Sequence, residues 1–273
     1  MLLAALFLFT VPLTWAIIGG REILPPFRFP WLVSLSCASN EHCCAGILLG
    51  SEWVLTAAHC ASHCPLQRLR VQLHRHDLNK SALEEGGRVR AVVQRIEHPQ
   101  WSRGSLVHDI ALLRLEADGV SRRIRNQRST QKSILNLFKD TANSVILAEP
   151  RATHTQTMAT VAGWGATQEW GCNSGVLLHV EIPILPESQC LAVYGSSLFR
   201  EGMLCAGGLR LRDACTGDSG GPLFVQQGSS VLLIGLVSWG FRCGAERMPG
   251  IYTSIGKHYD WIQKEVGAPA PIN

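Results

Sequence analysis

The chain has 273 residues, 46% hydrophobic, 17% charged and 7% aromatic, which supplies a full core and too little charge for a disordered chain. Its 25 basic and 21 acidic residues give a nominal +4, yet residues 121–140 alone carry Arg122, Arg123, Arg125, Arg128, Lys132 and Lys139 against Asp140. Outside that stretch 19 basic residues face 20 acidic ones, which argues against nucleic acid as a partner because phosphate binding needs a cationic face.

The first 16 residues, MLLAALFLFTVPLTWA, form one apolar run ending in the small residues Thr14 and Ala16. This reads as a secretory signal without a basic n-region; interrupted by Pro12, it falls short of the roughly 20 residues a membrane span needs. Short apolar or alternating runs follow at Trp31–Ser36, Gly46–Leu49, Trp53–Leu55, Arg68–Leu73, Val89–Ile96, Ile110–Leu115, Met158–Ala162, Val176–Ile182, Pro222–Val225 and Val231–Ser238. Gly, Pro, Asn and Asp turns separate them, a pattern that predicts an all-β protein built as antiparallel barrels or a sandwich. The one helix expected is C-terminal, Ile255–Val266, with Ile255, Tyr259 and Ile262 on a shared face. Residues 267–273, GAPAPIN, read as a loose tail, and no repeat or linker divides the chain.

Ten cysteines behind a signal segment imply disulfides. The patch His42, Cys43, Cys44, His59, Cys60, His63 and Cys64 contains ligand types that zinc accepts, but it has no Cys-x-x-Cys pair and oxidation competes, so no metal is expected. Three segments concentrate nucleophile, base and orienter types: Thr56-Ala-Ala-His59-Cys60, Asp109-Ile-Ala-Leu-Leu113 and Gly217-Asp-Ser219-Gly-Gly-Pro222. A serine hydroxyl needs an imidazole base near pH 7, and that base needs a buried carboxylate to set its tautomer. With the order His, Asp, Ser, and with Ile17-Ile-Gly-Gly20, Gly163-Trp-Gly165, Ser238-Trp-Gly240 and Pro249-Gly-Ile-Tyr252, the sequence resembles the chymotrypsin/trypsin-like serine proteases from Ile17 to about Val266.

The resemblance implies two antiparallel six-stranded Greek-key β-barrels around a cleft, the first about 17–120, a basic connection about 121–140, the second about 141–254, then the helix at 255–266. It makes Ser219 the nucleophile, His59 the proton shuttle and Asp109 its orienter, with Ser238 supporting Asp109. The N–H groups of Gly217 and Ser219 become the oxyanion hole, and Asp218 pairs with a freed α-amino group at Ile17. Asp213, six residues before Ser219, falls at the base of the specificity pocket, with Ser238, Gly240 and Gly250 completing the substrate-binding set. The implied activity is secreted, extracellular endopeptidase cleavage after Arg or Lys by a monomer, with protein substrates, proteinaceous serine protease inhibitors as partners and no cofactor. The competing class is a protease homologue that only binds.

Several positions depart from the family pattern. Arg242 stands on the pocket rim where Gly is usual, so its cation either repels a basic substrate or points to solvent. Ala45 replaces a Gly without expected effect. His74 and Arg75 stand where calcium-binding relatives have Gly and Glu, so no calcium is expected. The resemblance implies the disulfides Cys44–Cys60, Cys190–Cys205 and Cys215–Cys243, with a fourth bridge lost at Ala159 and Val225. Cys37 is paired with Cys64 and Cys43 with Cys172, Cys43–Cys64 being the alternative. Trp15-Ala16 precede Ile17 in place of the usual basic residue; cleavage after Ala16 creates the amine on secretion, cleavage after Thr14 leaves a dipeptide to remove, or the N-terminus is incomplete. The basic connection reads as a solvated insertion or a mis-spliced exon, with docking of an anionic polysaccharide as the alternative. Asn79-Lys80-Ser81 is an N-glycosylation sequon.

Overall fold

The computed structural model describes residues 17–37, 41–116, 145–150, 152 and 154–267. The apolar run 1–16 expected to be a signal, the basic stretch 121–140 and residues 268–273 lie outside the described residues. Fourteen strands run through the described chain: β1 (Arg21–Glu22), β2 (Leu32–Cys37), β3 (His42–Leu49), β4 (Trp53–Thr56), β5 (Leu69–Leu73), β6 (Arg88–Glu97), β7 (Ala111–Leu115), β8 (Val145–Leu147), β9 (Met158–Gly163), β10 (Leu178–Pro183), β11 (Met203–Gly207), β12 (Pro222–Gln227), β13 (Ser230–Trp239) and β14 (Pro249–Ser254). Helix α1 (Ala58–His63) follows β4, α2 (Glu187–Leu198) follows β10 and α3 (Ile255–Val266) follows β14.

The first half is a closed antiparallel barrel in the order β2-β3-β4-β7-β6-β5. The pairing of β4 with β7 and of β2 with β5 skips strands, which is Greek-key connectivity. The second half orders β1-β10-β9-β12-β13-β14-β11, with β8 added parallel to β13. This sheet curls back on itself: Ile184, just after β10, bridges Ala206 on β11, and Leu185 N–H donates to Cys205 O at 3.0 Å. Closure matters because it hides the edge groups that an open sheet would expose.

One apolar cluster runs through both halves, from Val33 and Leu113 to Leu236 and Ile262. Phe29, Trp31 and Phe224 join them, with ring centres 5.0–5.3 Å apart and Phe224 meeting the other two edge to face. Such pairs contribute about 0.5–1.5 kcal/mol each beyond their buried area. The cleft between the halves therefore has rigid walls.

Helix α2 and strand β14 escape a periodicity reading for different reasons. In α2 only Cys190 and Tyr194 are buried, and Gly195 at φ 66° breaks the helical run, so no apolar stripe forms. Strand β14, PGIYTS, opens on Pro249-Gly250, a turn-like pair, and leaves only Ile251 and Tyr252 as an apolar run. Helix α3 matches its expected span, but His258, not Tyr259, shares the buried face with Ile255 and Ile262.

Candidate active site

Thr56 ends β4, and α1 begins at once, so His59 stands in the first turn of a short helix. The disulfide Cys44–Cys60 ties that turn to β3. Its 15 enclosed residues contribute about 3 kcal/mol in the chain-entropy model.

Asp109, on the loop entering β7, is fully buried. Its Oδ1 accepts from the backbone N–H of His59 at 2.9 Å, and its Oδ2 lies 2.6 Å from His59 Nδ1 and accepts from Ser238 Oγ at 2.6 Å. A carboxylate only accepts, so Nδ1 of His59 carries the proton and Nε2 presents a lone pair. Thr253 Oγ1 donates to the Asp109 carbonyl at 2.8 Å, a support that no sequence motif announced.

Ser219 occupies a turn that requires glycine on either side, with Gly217 at φ 97° and Gly220 at φ 75°. A Cβ on Gly220 would lie 2.2 Å from Thr56 Oγ1 and 2.5 Å from Ala45 O, so the turn nests directly on the first barrel. Ala45 N–H donates to Ser219 O at 2.8 Å and Gly220 N–H to Val237 O at 2.8 Å, clamping the serine between the halves. Ser219 Oγ makes no hydrogen bond to His59 among the described residues; His59 Nε2 lies 3.5 Å from Cys60 Sγ. Nor do the N–H groups of Gly217 and Ser219 donate to any acceptor among the described residues, leaving two donors free beside the Ser219 side chain.

Asp218 turns inward, where its carboxylate accepts from Gly165 N–H at 2.8 Å and Cys215 N–H at 2.9 Å. A Cβ on Gly163 would sit 2.2 Å from its Oδ1, and one on Gly165 2.4 Å from its Oδ2, so both glycines are the cradle of this carboxylate. Burial pushes the Asp218 carboxyl up to about 7. Ile17 is fully buried, and Ile18 bridges Asp213 and packs on Cys215 and Cys243, so the segment after residue 16 runs along the same turn. No bond joins Ile17 to Asp218 among the described residues.

His42 holds the turn from the other side. Its Nε2 lies 2.9 Å from Gly217 O and its Nδ1 2.9 Å from Ser34 Oγ. The carbonyl can only accept, so Nε2 donates and Nδ1 accepts from the serine. Burial lowers this imidazole to about 4, so it stays neutral while it anchors Gly217. The sequence marked His42 only as one of a group of metal-type ligands.

A cleft of about 240 Å³ opens beside Ser219, with Asp213, Ser238, Trp239, Gly240, Arg242 and Gly250 on its walls. Asp213 is buried; its Oδ2 accepts from Gly244 N–H at 3.1 Å, while its Oδ1 has no partner. A Cβ on Gly250 would lie 3.2 Å from that Oδ1, so glycine there keeps a side chain off the oxygen at the base of the cleft. Burial pushes the Asp213 carboxyl up to about 7. Arg242 is turned toward Glu169, 3.5 Å away, with its side chain 69% exposed.

Arg75 fills the loop where calcium was discounted. Its buried guanidinium donates to Gln72 Oε1 and to the carbonyls of Asp77 and Lys80, and pairs with Glu85 at 2.8 Å. A fixed side-chain cation thus takes the oxygen ligands of that loop. Asn79 is exposed, with its Nδ2 donating to Asp77.

Four disulfides form, Cys37–Cys64, Cys44–Cys60, Cys190–Cys205 and Cys215–Cys243, and they consume three of the four sulfurs of the metal-type patch, leaving Cys43. The pairing of Cys37 with Cys64 forms, while that of Cys43 with Cys172 is corrected: both are free thiols. Cys43 is the extra residue of a β-bulge where β2–β3 pairing jumps from Cys44 to His42. An unpaired bulge residue is re-aimed, and its Sγ donates to Leu35 O at 3.3 Å instead of reaching the exposed Cys172. Ala159 and Val225 stand next in register after Thr160↔Phe224, facing each other across β9 and β12.

A family model described as Trypsin matches residues 17–262. Bovine coagulation factor XI (Bos taurus) is 29% identical over 263 residues, which cover 95% of this chain and 39% of that protein. The chain thus spans about two fifths of that relative's length.

Proposed function

The chain belongs to the trypsin family, and on that premise we propose that it is a secreted serine endopeptidase cleaving after Arg or Lys. The observation that carries the specificity is the buried, unpartnered Oδ1 of Asp213 at the base of a cleft kept open by Gly240 and Gly250. A buried carboxylate with one bare oxygen selects a cation long enough to reach it, and a guanidinium or ammonium does so. Arg242, engaged by Glu169, leaves the entrance free of an opposing charge. Four disulfides support an oxidising compartment.

In this reading Ser219 Oγ attacks the scissile carbonyl while His59 Nε2 takes its proton, and Asp109 steadies the imidazolium. The Ser219–His59 hydrogen bond that this transfer needs forms when substrate arrives, as catalytic contacts do. The oxyanion meets the free N–H groups of Gly217 and Ser219, each worth about 2.7–4 kcal/mol to the transition state. His59 then protonates the leaving amine, and water repeats the sequence on the acyl-enzyme. Asp218 awaits a cation that its glycine cradle does not supply, and an α-amino group freed at Ile17 is the one the adjoining segment offers.

Protein secreted from eukaryotic cells is assayed on peptidyl-arginine, peptidyl-lysine and peptidyl-phenylalanine anilides, with Ser219→Ala as control. Hydrolysis of the basic substrates that vanishes in the control is expected. Equal rates on all three substrates overturn the specificity, and no difference from the control overturns the chemistry in favour of a homologue that only binds.

A further inference from the structure

Next to Asp109 in the chain, at His108, three imidazoles from distant parts of the sequence converge. His98 follows β6, His108 immediately precedes Asp109, and His258 stands on α3; their ring nitrogens come within 4.8 Å of one another. His108 Nδ1 lies 2.9 Å from His258 Nε2. His98 stacks on His108 with ring centres 4.5 Å apart and meets His258 edge-on at 5.2 Å, while Trp261, one turn along α3, backs His98.

The protons can be placed. Ser254 O only accepts, so His258 Nδ1, 2.7 Å away, carries the hydrogen and Nε2 presents its lone pair to His108. One ring nitrogen fixed by a backbone carbonyl and the other bare is the orientation of a metal-ligating histidine. Gly202 keeps the space open: a Cβ there would lie 2.9 Å from His258 Cε1 and 3.2 Å from His108 Nδ1. His98 and His108 are half-buried, and a solvent-facing hollow bordered by His108, Glu187, Arg200, Glu201 and Lys257 gives an ion a way in, its rim of mixed charge with Lys257 paired to Glu187 at 3.4 Å.

We propose that His98, His108 and His258 bind a divalent transition cation of the zinc class, with water as the fourth ligand. Three imidazole nitrogens suit zinc, copper or nickel, whereas calcium and magnesium require oxygen donors. Binding moves the His108 proton from Nδ1 to Nε2, freeing Nδ1 for the ion. It also opens the 3.2 Å hydrogen bond from Gln100 N–H to His98 Nδ1. An ion held there ties α3 to the loop that carries Asp109. The site departs from the expectation of no metal, and it does not depend on the protein being an active protease.

The test uses the full chain without an oligohistidine tag, stripped with chelator and titrated calorimetrically with Zn2+, with Co2+ absorption as a second readout. One equivalent of Zn2+, tetrahedral Co2+ bands and at least a tenfold weaker affinity in His98→Gln are expected. Binding should persist in His59→Ala, and His98→Gln, altered at a half-exposed ring, is checked for an unchanged melting profile before titration. His108→Gln serves in its place should that variant misfold. No stoichiometric Zn2+ binding, full affinity in both glutamine variants, or loss of binding in His59→Ala alone overturns the proposal.

Discussion

Replacing Asp213 by Asn tests the cleft most directly, because the substitution keeps the shape and one acceptor oxygen while removing the charge. A guanidinium or ammonium about 4 Å from the carboxylate is worth about 4 kcal/mol at an effective dielectric constant of about 20. The retained amide oxygen still accepts a hydrogen bond, so the expected loss is about 2–4 kcal/mol, about 30- to 1,000-fold in kcat/KM on basic substrates. Hydrolysis of a peptidyl-phenylalanine anilide should change less than about threefold, since no charge is involved. The pH dependence gives a second handle. With its carboxyl pushed up to about 7 in the empty cleft, Asp213 is protonated below that pH and must release its proton to receive a cation. Preference for Arg over Phe should therefore grow as pH rises through about 7 and level off above it, and should be flat in the Asn variant. Taking the ratio of two substrates cancels any pH effect common to both. Equal losses on Arg and Phe substrates, or a pH-independent ratio in the wild-type protein, would refute the assignment.

Gly163→Ala places a methyl group 2.2 Å from Asp218 Oδ1; overpacking of about 1–3 kcal/mol should lower the melting temperature by several degrees and activity at least tenfold, read by calorimetry and anilide hydrolysis. Ser238→Ala removes a 2.6 Å donor from the buried Asp109 carboxylate, a bond worth about 1.5–3 kcal/mol, so kcat/KM should fall at least tenfold with the substrate preference intact. Titration with a thiol reagent should count two thiols in denaturant. In the native protein Cys172, exposed, should react fast and Cys43 slowly, because burial pushes its thiol up; a count of zero would restore the Cys43–Cys172 bridge. Opening Cys37–Cys64 by replacing both residues with Ala should cost about 3.5 kcal/mol, seen as a lower denaturation midpoint.

The family was legible from the sequence alone, because its motifs are local patterns. His59 beside a cysteine, Asp109 at the head of an apolar strand and Ser219 among glycines each sit in a segment of a few residues, and three such segments in order identify the family. Most strands of both barrels were legible too, because a half-buried sheet imposes a two-residue period on the chain. Strand β14 and helix α2 were not: one opens on the turn-like pair Pro249-Gly250 and the other is nearly unburied, so neither leaves a periodic signature. The tertiary structure alone decided the rest. Cys43 and Cys172 stay apart because a β-bulge re-aims one of them, and pairing register is set by a partner strand rather than by the cysteine's neighbours in sequence. Arg75 becomes an internal cation only where loop carbonyls fold around it. His42 reaches Gly217 across 175 residues, and His108 meets His258 across 150, separations over which no spacing rule acts. Local chemistry is written along the chain, whereas a contact between distant residues exists only once barrel closure brings their strands and helices together.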